Sequence, residues 1–204
     1  MFLIIHRPQS TCRSNEEGAF SAHEELATTA SRQRYAVAPF SSGNGLSQAF
    51  NAWRSADLPG NGFTLVGSQP RVEDLLGMRL QPLTPVSNRL RPELARPAVF
   101  NWPPQIIDQP MTRLDMVGKD GRLVASGGPF ADYLLARVPP EVTRFDALAG
   151  QWLPRRFAVD LSNQLDNGAV LLWAALTDGS VEQPACQAML QHCDGTMQVH
   201  DLVD

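Results

Sequence analysis

The sequence predicts an α+β protein in which two βαβ units share one antiparallel sheet. Three observations support this: a strand–helix–strand pattern over residues 35–66, the same order over residues 169–203, and a proline-rich stretch between them. Two such units in a small chain are typical of a ferredoxin-like sandwich, with about four antiparallel strands and two helices on one face. We therefore expect residues 34–204 to form a single domain with an insertion at about 68–153.

The first βαβ unit follows a polar, irregular stretch, residues 1–33, which predicts a flexible N-terminal arm. Tyr35–Phe40 has the composition of a strand, and Ser41–Gly45 ends it with turn residues. The next apolar positions recur at i, i+3, i+4 and i+7, as in an amphipathic helix: Leu46, Ala49, Phe50 and Trp53. A break at Pro59–Gly62 precedes the second strand, Phe63–Val66.

The second unit is preceded by a helix that Pro154 can begin and Asn167-Gly168 can end. Its apolar stripe is Phe157, Leu161 and Leu165. Ala169–Leu176 is apolar at every position, which predicts a central strand covered on both sides. A further helix has an apolar face made of Ala185, Met189, Leu190 and Cys193. The last strand is Met197–Val203.

Prolines in the insertion exclude a continuous helix or a central strand there, so we expect the insertion to lie outside the shared sheet. Within it, Leu114–Val117 and Arg122–Ala125 flank Gly118–Gly121, which predicts a hairpin. Short helices are expected at Phe130–Val138 and Phe145–Leu148. Trp102 lies among prolines, where it either docks a partner or anchors the insertion to the core; the gain from burying an indole favours the anchor.

Composition excludes several classes of function. The net charge of −4 and the scattered basic residues argue against nucleic-acid binding; Lys119 is the single lysine. The longest apolar run, Ala169–Leu176, is too short to span a membrane, and the first residues lack the basic segment of a signal peptide. Three cysteines without regular spacing favour a reducing compartment. We expect a cytoplasmic protein that binds neither membrane nor nucleic acid.

One loop has the features of an anion site. Gly43, Asn44 and Gly45 lie between a strand and a helix, where backbone N–H groups and the helix dipole can hold an anion. A dinucleotide fingerprint would require a third glycine where the chain has Gln48, and a nucleotide-binding loop would require a lysine. A tight turn is the alternative explanation.

The remaining reactive side chains do not form a recognisable site. Cys186 and Cys193 are seven residues apart on a predicted helix, a rise of about 10 Å, too far to share one metal ion with His200. Ser126 lacks the Gly-x-Ser-x-Gly setting of a hydrolase nucleophile. The sequence therefore predicts no catalytic residues, no cofactor and no metal.

The order of apolar and glycine positions resembles the bacterial general stress or heat-induced stress protein family, a domain of unknown function. The residues that carry the resemblance are Leu123–Leu134, Leu161–Leu172 and Met189–Gly195, and it extends over Tyr35–Gly67 and Leu123–Val203. It implies two halves around a middle insertion and supplies no catalytic residues. The insertion departs from the family, where it is typically glycine-rich and apolar.

These observations favour a non-enzymatic, stress-related binding or interaction module. Edge strands and the long insertion offer surfaces for a homo-oligomer or a protein partner. The alternative is a small enzyme or ligand sensor with a pocket between the insertion and the sheet.

Overall fold

The computed structural model describes residues 4–5, 32–59, 62–84, 87–94, 102–137, 141–177 and 179–203. They form one open sheet with strand order β1-β9-β2-β8-β3-β7-β6-β5-β4. The strands are β1 Ile4–Ile5, β2 Arg32–Phe40, β3 Phe63–Ser68, β4 Met78–Pro82, β5 Arg89–Leu94, β6 Met111–Gly118, β7 Gly121–Ala125, β8 Val170–Ala175 and β9 Gln198–Val203. All neighbours are antiparallel except β1, which is parallel to β9. The predicted α+β class and antiparallel sheet are confirmed.

Seven helices connect and cover these strands in the described residues. They are α1 Gly43–Ser55, α2 Gln69–Leu76, α3 Pro104–Ile107, α4 Pro129–Leu135, α5 Phe145–Ala149, α6 Arg155–Asp166 and α7 Gly179–Leu190. The predicted apolar stripes are buried, both on α1 and on α6. Gly168, just after α6, has φ +83°, the left-handed conformation that ends a helix and that glycine adopts at no steric cost.

The strands of the two predicted halves are direct neighbours, in the order β9-β2-β8-β3. Tyr35 of β2 lies opposite Ala175 of β8 on one side and His200 of β9 on the other. The two halves therefore share one sheet, as predicted. Of the predicted arm, Ile4–Ile5 pairs with β9 and Arg32–Gln33 belongs to β2; its other residues lie outside the described ranges.

Both faces of this sheet are covered. Successive residues of β8 alternate between two apolar clusters, with Leu172 in one and Trp173 in the other. The first cluster is covered by α1, α2, α3 and α7, and the second by α4, α5 and α6. The two-sided burial predicted for Ala169–Leu176 is thus confirmed. The expectation of helices on one face is wrong, because a strand that is apolar on both faces requires a second helical layer.

The insertion is part of the sheet rather than outside it. Its hairpin β6–β7 forms where predicted, and β7 pairs with β3. Beyond β6, the strands β5 and β4 extend the sheet to its edge. Pro92 is tolerated in β5 because it faces Leu80, whose N–H and C=O bond to side chains of α2 instead. The expectation that prolines exclude this segment from the sheet is therefore wrong. The proline-containing strands of the insertion, β4 and β5, are the last two strands at one end of the sheet.

Side chains of α2 cover the exposed backbone of the edge strand β4. The Leu80 N–H donates to Glu73 Oε1 (3.1 Å), and Gln69 Nε2 donates to the Leu80 carbonyl (3.3 Å). Glu73 is also paired with Arg79 at 3.2 Å. At the opposite edge, Ile4–Ile5 occupies part of β9. Each edge is therefore partly occupied by the chain itself, which limits pairing with another chain.

Trp102 anchors the insertion, as predicted from its indole. Its side chain is 4% exposed and meets Phe50 of α1 edge-on, with ring centroids 6.0 Å apart. Ile106 of α3 is buried in the same cluster. Trp102 and α3 are in this way held against the first face of the sheet.

Candidate functional site

A cleft of about 340 Å³ opens between the β6–β7 turn, the start of α5 and the C-terminal half of α6. It lies on the second face of the sheet, at the junction of the insertion with α6. Its apolar lining is Val117, Leu123, Phe145 and Leu165, and its polar lining is Lys119, Arg144, Ser162 and Asp166, with Gly118 completing the wall.

The β6–β7 turn, which two glycines close, forms one wall of the cleft. Gly118 pairs with Gly121, which has φ +131°, so Lys119 and Asp120 alone form the turn. The Lys119 backbone N–H donates to Asp166 Oδ1 at 3.2 Å. This bond ties the turn to the end of α6 and brings the single lysine of the chain to the cleft.

The floor of the cleft is continuous with the apolar core of the second face. Leu123 of β7, Phe145 of α5 and Leu165 of α6 are buried in that core. Ser162, one helical turn before Asp166, is 7% exposed and places a hydroxyl in the lining. Polar groups therefore surround an apolar base, which is the usual composition of a small-molecule site.

Charges of both signs line the cleft. Arg144 Nε donates to Asp146 Oδ1 at 2.9 Å; this bond raises the pKa of the guanidinium and lowers the pKa of the Asp146 carboxyl. The negative charge of Asp166 makes a smaller contribution in raising the pKa of Arg144. Within the described residues, no acidic side chain is paired with the Lys119 ammonium group. The cleft thus offers cationic donors and one carboxylate to a ligand.

The lining of the cleft combines charged, hydroxyl and apolar side chains. It contains neither histidine nor cysteine among the described residues, so Ser162 has no imidazole partner in the cleft that could act as its base. The arrangement can hold a small molecule by charge, a hydroxyl and apolar contact.

The predicted anion loop lies on the other face of the sheet, away from this cleft. Gly43, Asn44 and Gly45 form the first turn of α1, and the Gly45 N–H donates to Ser42 Oγ at 3.1 Å. The carboxylate of Asp194 accepts from the Ser41 N–H at 2.6 Å and from its hydroxyl at 2.7 Å.

The first turn of α1 also packs tightly against the turn after α7. A Cβ on Gly45 would lie 2.8 Å from the carbonyl oxygen of His192, so a side chain there would clash. This contact and the bonds of Asp194 to Ser41 show that the loop is closely packed as a turn, and the anion site at Gly43, Asn44 and Gly45 stays a prediction.

The cysteines and His200 are separated by the sheet. Cys186 of α7 is buried in the first cluster, and burial followed by the charge of Glu182 raises the pKa of its thiol to about 11. Burial also raises the pKa of Cys193. His200 faces the second cluster, where its ring packs edge-on against Phe157. No group of three or more His, Cys, Asp or Glu that could hold a metal ion occurs within the described residues.

Ser126 is a structural residue. It is 1% exposed, its hydroxyl accepts the Leu65 N–H at 2.8 Å, and it joins the end of β7 to β3. Gly127 and Gly128 then lead into α4, whose Ala131 N–H donates to Thr64 Oγ1 at 3.2 Å. The hydroxyl of Ser126 thus links the end of β7 to β3.

Among the polar residues of the cleft, the sequence singled out Lys119, as the single lysine and as part of a predicted hairpin turn. It missed Arg144, Ser162 and Asp166. The predicted helices contain all three or border on them, but no local pattern shows that these helix ends meet the hairpin. Only their packing on a common face brings them together.

Comparison of the chain with protein-family models, with curated proteins and with solved structures gives no match. Within the described residues, every helix is too short or too polar to cross a membrane.

Proposed function

We propose that this chain is a non-enzymatic binding module whose ligand site is the cleft between the insertion and α6. The observation that carries the proposal is the meeting of Lys119, Arg144 and Asp166 around an apolar floor. Such convergence of polar groups on an apolar base is the usual sign of a small-ligand site. The cleft differs in place from the pocket between the insertion and the sheet that was expected for a small enzyme or ligand sensor, because α6 forms its other wall.

The state of the reactive side chains supports a role without catalysis. A nucleophile requires a base within hydrogen-bond reach or a lowered pKa. Ser126 is occupied by a backbone N–H of the neighbouring strand, and the raised pKa of Cys186 keeps its thiol protonated at neutral pH. Neither group has the setting of an activated nucleophile.

We also propose a fold that is more specific than the α+β class. The order β9-β2-β8-β3, with α1 following β2 and α7 following β8, supports a ferredoxin-like core enlarged by the strands of the insertion. On this basis the resemblance to bacterial general stress proteins is kept as a proposal, together with a cytoplasmic location. The cleft lies outside the four core strands, at the insertion, so the ligand site would belong to the enlargement.

A second candidate function is the docking of a protein partner at the β4–β5 end of the sheet. Leu83 and Leu94 are 48% and 56% exposed at the two ends of this hairpin, so each end presents a large apolar side chain to a partner. Strand addition is disfavoured, since Glu73 and Gln69 occupy the backbone of β4. A partner would therefore contact side chains rather than extend the sheet.

A thermal-shift screen with small organic acids, amines and amino acids tests the binding proposal. A compound at 100 times its Kd should stabilise the protein by about 2.7 kcal/mol. Lys119→Ala should weaken the shift, whereas Arg122→Ala, two residues beyond the same turn and outside the lining, should leave it unchanged. If no compound stabilises the protein, or if both variants respond alike, the cleft is not the ligand site.

A further inference from the structure

We infer that the cleft binds an α-amino acid with an apolar side chain, an inference that rests on the binding function proposed above. Such a ligand carries a carboxylate, an ammonium group and an apolar group on one carbon atom. The cleft offers a counterpart for each of the three within 340 Å³, near the lower end of the range for ligand pockets of about 300–1,000 Å³.

The carboxylate of the ligand would meet Arg144 and Lys119. The Arg144 Nε bond to Asp146 fixes one side of the guanidinium and leaves the two terminal nitrogens as donors. A fixed guanidinium can bind a carboxylate through two parallel hydrogen bonds. Lys119 adds a second cation on the β6–β7 turn, so the positive side of the cleft has two donors from separate elements.

The ammonium group would meet Asp166. One carboxylate oxygen of Asp166 already accepts the Lys119 backbone N–H, which orients the group and leaves its second oxygen for a ligand. A ligand with only a carboxylate would be repelled by Asp166, and one with only an amine would be repelled by Lys119 and Arg144. A zwitterion is the small molecule that meets both signs favourably.

The apolar group would lie on Leu123, Phe145 and Leu165. These side chains belong to the buried core and form the base between the charged walls. The base of the cleft carries no charge, so an apolar side chain of the ligand gains free energy of binding by covering it. Amino acids with a charged side chain, such as an acidic one, are therefore not the preferred class of ligand.

Titration calorimetry with three matched probes tests the inference: L-leucine, 4-methylpentanoate, which lacks the amine, and 3-methylbutylamine, which lacks the carboxylate. We expect L-leucine to bind at least about ten-fold more tightly than either analogue, since each lost charged hydrogen bond is worth a factor of that size or more. An analogue that binds as tightly as L-leucine would overturn the zwitterion assignment.

Two variants test which residue of the cleft pairs with each charge of the ligand. Asp166→Asn keeps an acceptor for the Lys119 N–H and should abolish the preference for L-leucine over 4-methylpentanoate. Arg144→Gln should reduce the preference over 3-methylbutylamine, with Lys119 retaining the remainder, and Arg122→Gln is the matched control. If L-leucine fails while another class of compound stabilises the protein through Lys119, the ligand class is wrong and the binding function stands. If nothing binds, both proposals fail.

Discussion

Gly128 lies at the start of α4, where the insertion packs closely against β3. We expect that adding one methyl group there lowers the free energy of unfolding more than at the other glycines. Its φ is +123°, and a Cβ there would lie 2.0 Å from the carbonyl oxygen of Phe63 and 2.8 Å from Thr64 Oγ1. The nearest atom belongs to the backbone of β3, which cannot move aside like the end of a side chain. Gly128→Ala therefore requires β3 and α4 to separate.

The expected cost combines two effects. A non-glycine residue in this region of φ costs about 1–3 kcal/mol, and overpacking a core adds about 1–3 kcal/mol. We expect Gly128→Ala to lower the free energy of unfolding by about 3–5 kcal/mol, a large part of the ~5–15 kcal/mol typical of a protein. For a stability of about 5 kcal/mol, the lower end of that range, the loss is large enough to unfold part of the population at 25 °C.

Gly77→Ala is the matched control. Gly77 ends α2 with φ +67°, and no atom lies within 4 Å of the position of its Cβ. Only the conformational cost applies there, about 1–2 kcal/mol. Urea unfolding followed by far-ultraviolet circular dichroism measures both variants. If Gly128→Ala lies within about 1 kcal/mol of Gly77→Ala, the close approach of β3 and α4 is not as described.

Three further changes test the structure elsewhere. Asp194→Ala should lower the free energy of unfolding by about 1 kcal/mol in urea titrations, because the N–H and hydroxyl of Ser41 lose their acceptor. Cys186 should be alkylated by iodoacetamide at pH 8 about 100-fold more slowly than in the unfolded chain, since its pKa is raised from 9.0 to about 11. Glu73→Ala should cause concentration-dependent self-association in sedimentation velocity, because it uncovers the N–H of Leu80 on the edge strand.

Each of these changes has a contrary outcome. Asp194→Asn keeps an acceptor and should cost less than the alanine; equal losses would point away from the hydrogen bonds. Equal alkylation rates in folded and unfolded chains would contradict the burial of Cys186. Asp74→Ala, on the same helix, is the control for Glu73→Ala, and association in both variants would exclude the edge strand as its cause.

The raised pKa of Cys186 also fixes the sign of a pH dependence. Folding favours the protonated thiol, so the contribution of this group to stability is complete below pH 9, the unfolded value. It is lost as the pH rises from 9 towards about 11. Unfolding measurements of the protein and of Cys186→Ala at pH 8 and pH 10.5 should therefore diverge at the higher pH.

Local patterns in the sequence were sufficient to predict individual helices and strands. The period of Leu46, Phe50 and Trp53 predicted α1, and the glycines around Lys119 predicted the β6–β7 hairpin. The apolar run from Ala169 to Leu176 predicted a strand buried on both faces. Each of these follows from the spacing of side chains within one element, which depends on backbone geometry alone.

What only the tertiary structure decided is how the elements combine. The insertion was expected outside the sheet, yet β7 pairs with β3 and carries β6, β5 and β4 into it. The second helical layer and the cleft at Lys119, Arg144 and Asp166 follow from that pairing. Strand neighbours far apart in the chain are chosen by which apolar faces and backbone groups remain to be covered once the other elements are in place. That choice depends on the whole fold, and no local spacing of residues records it.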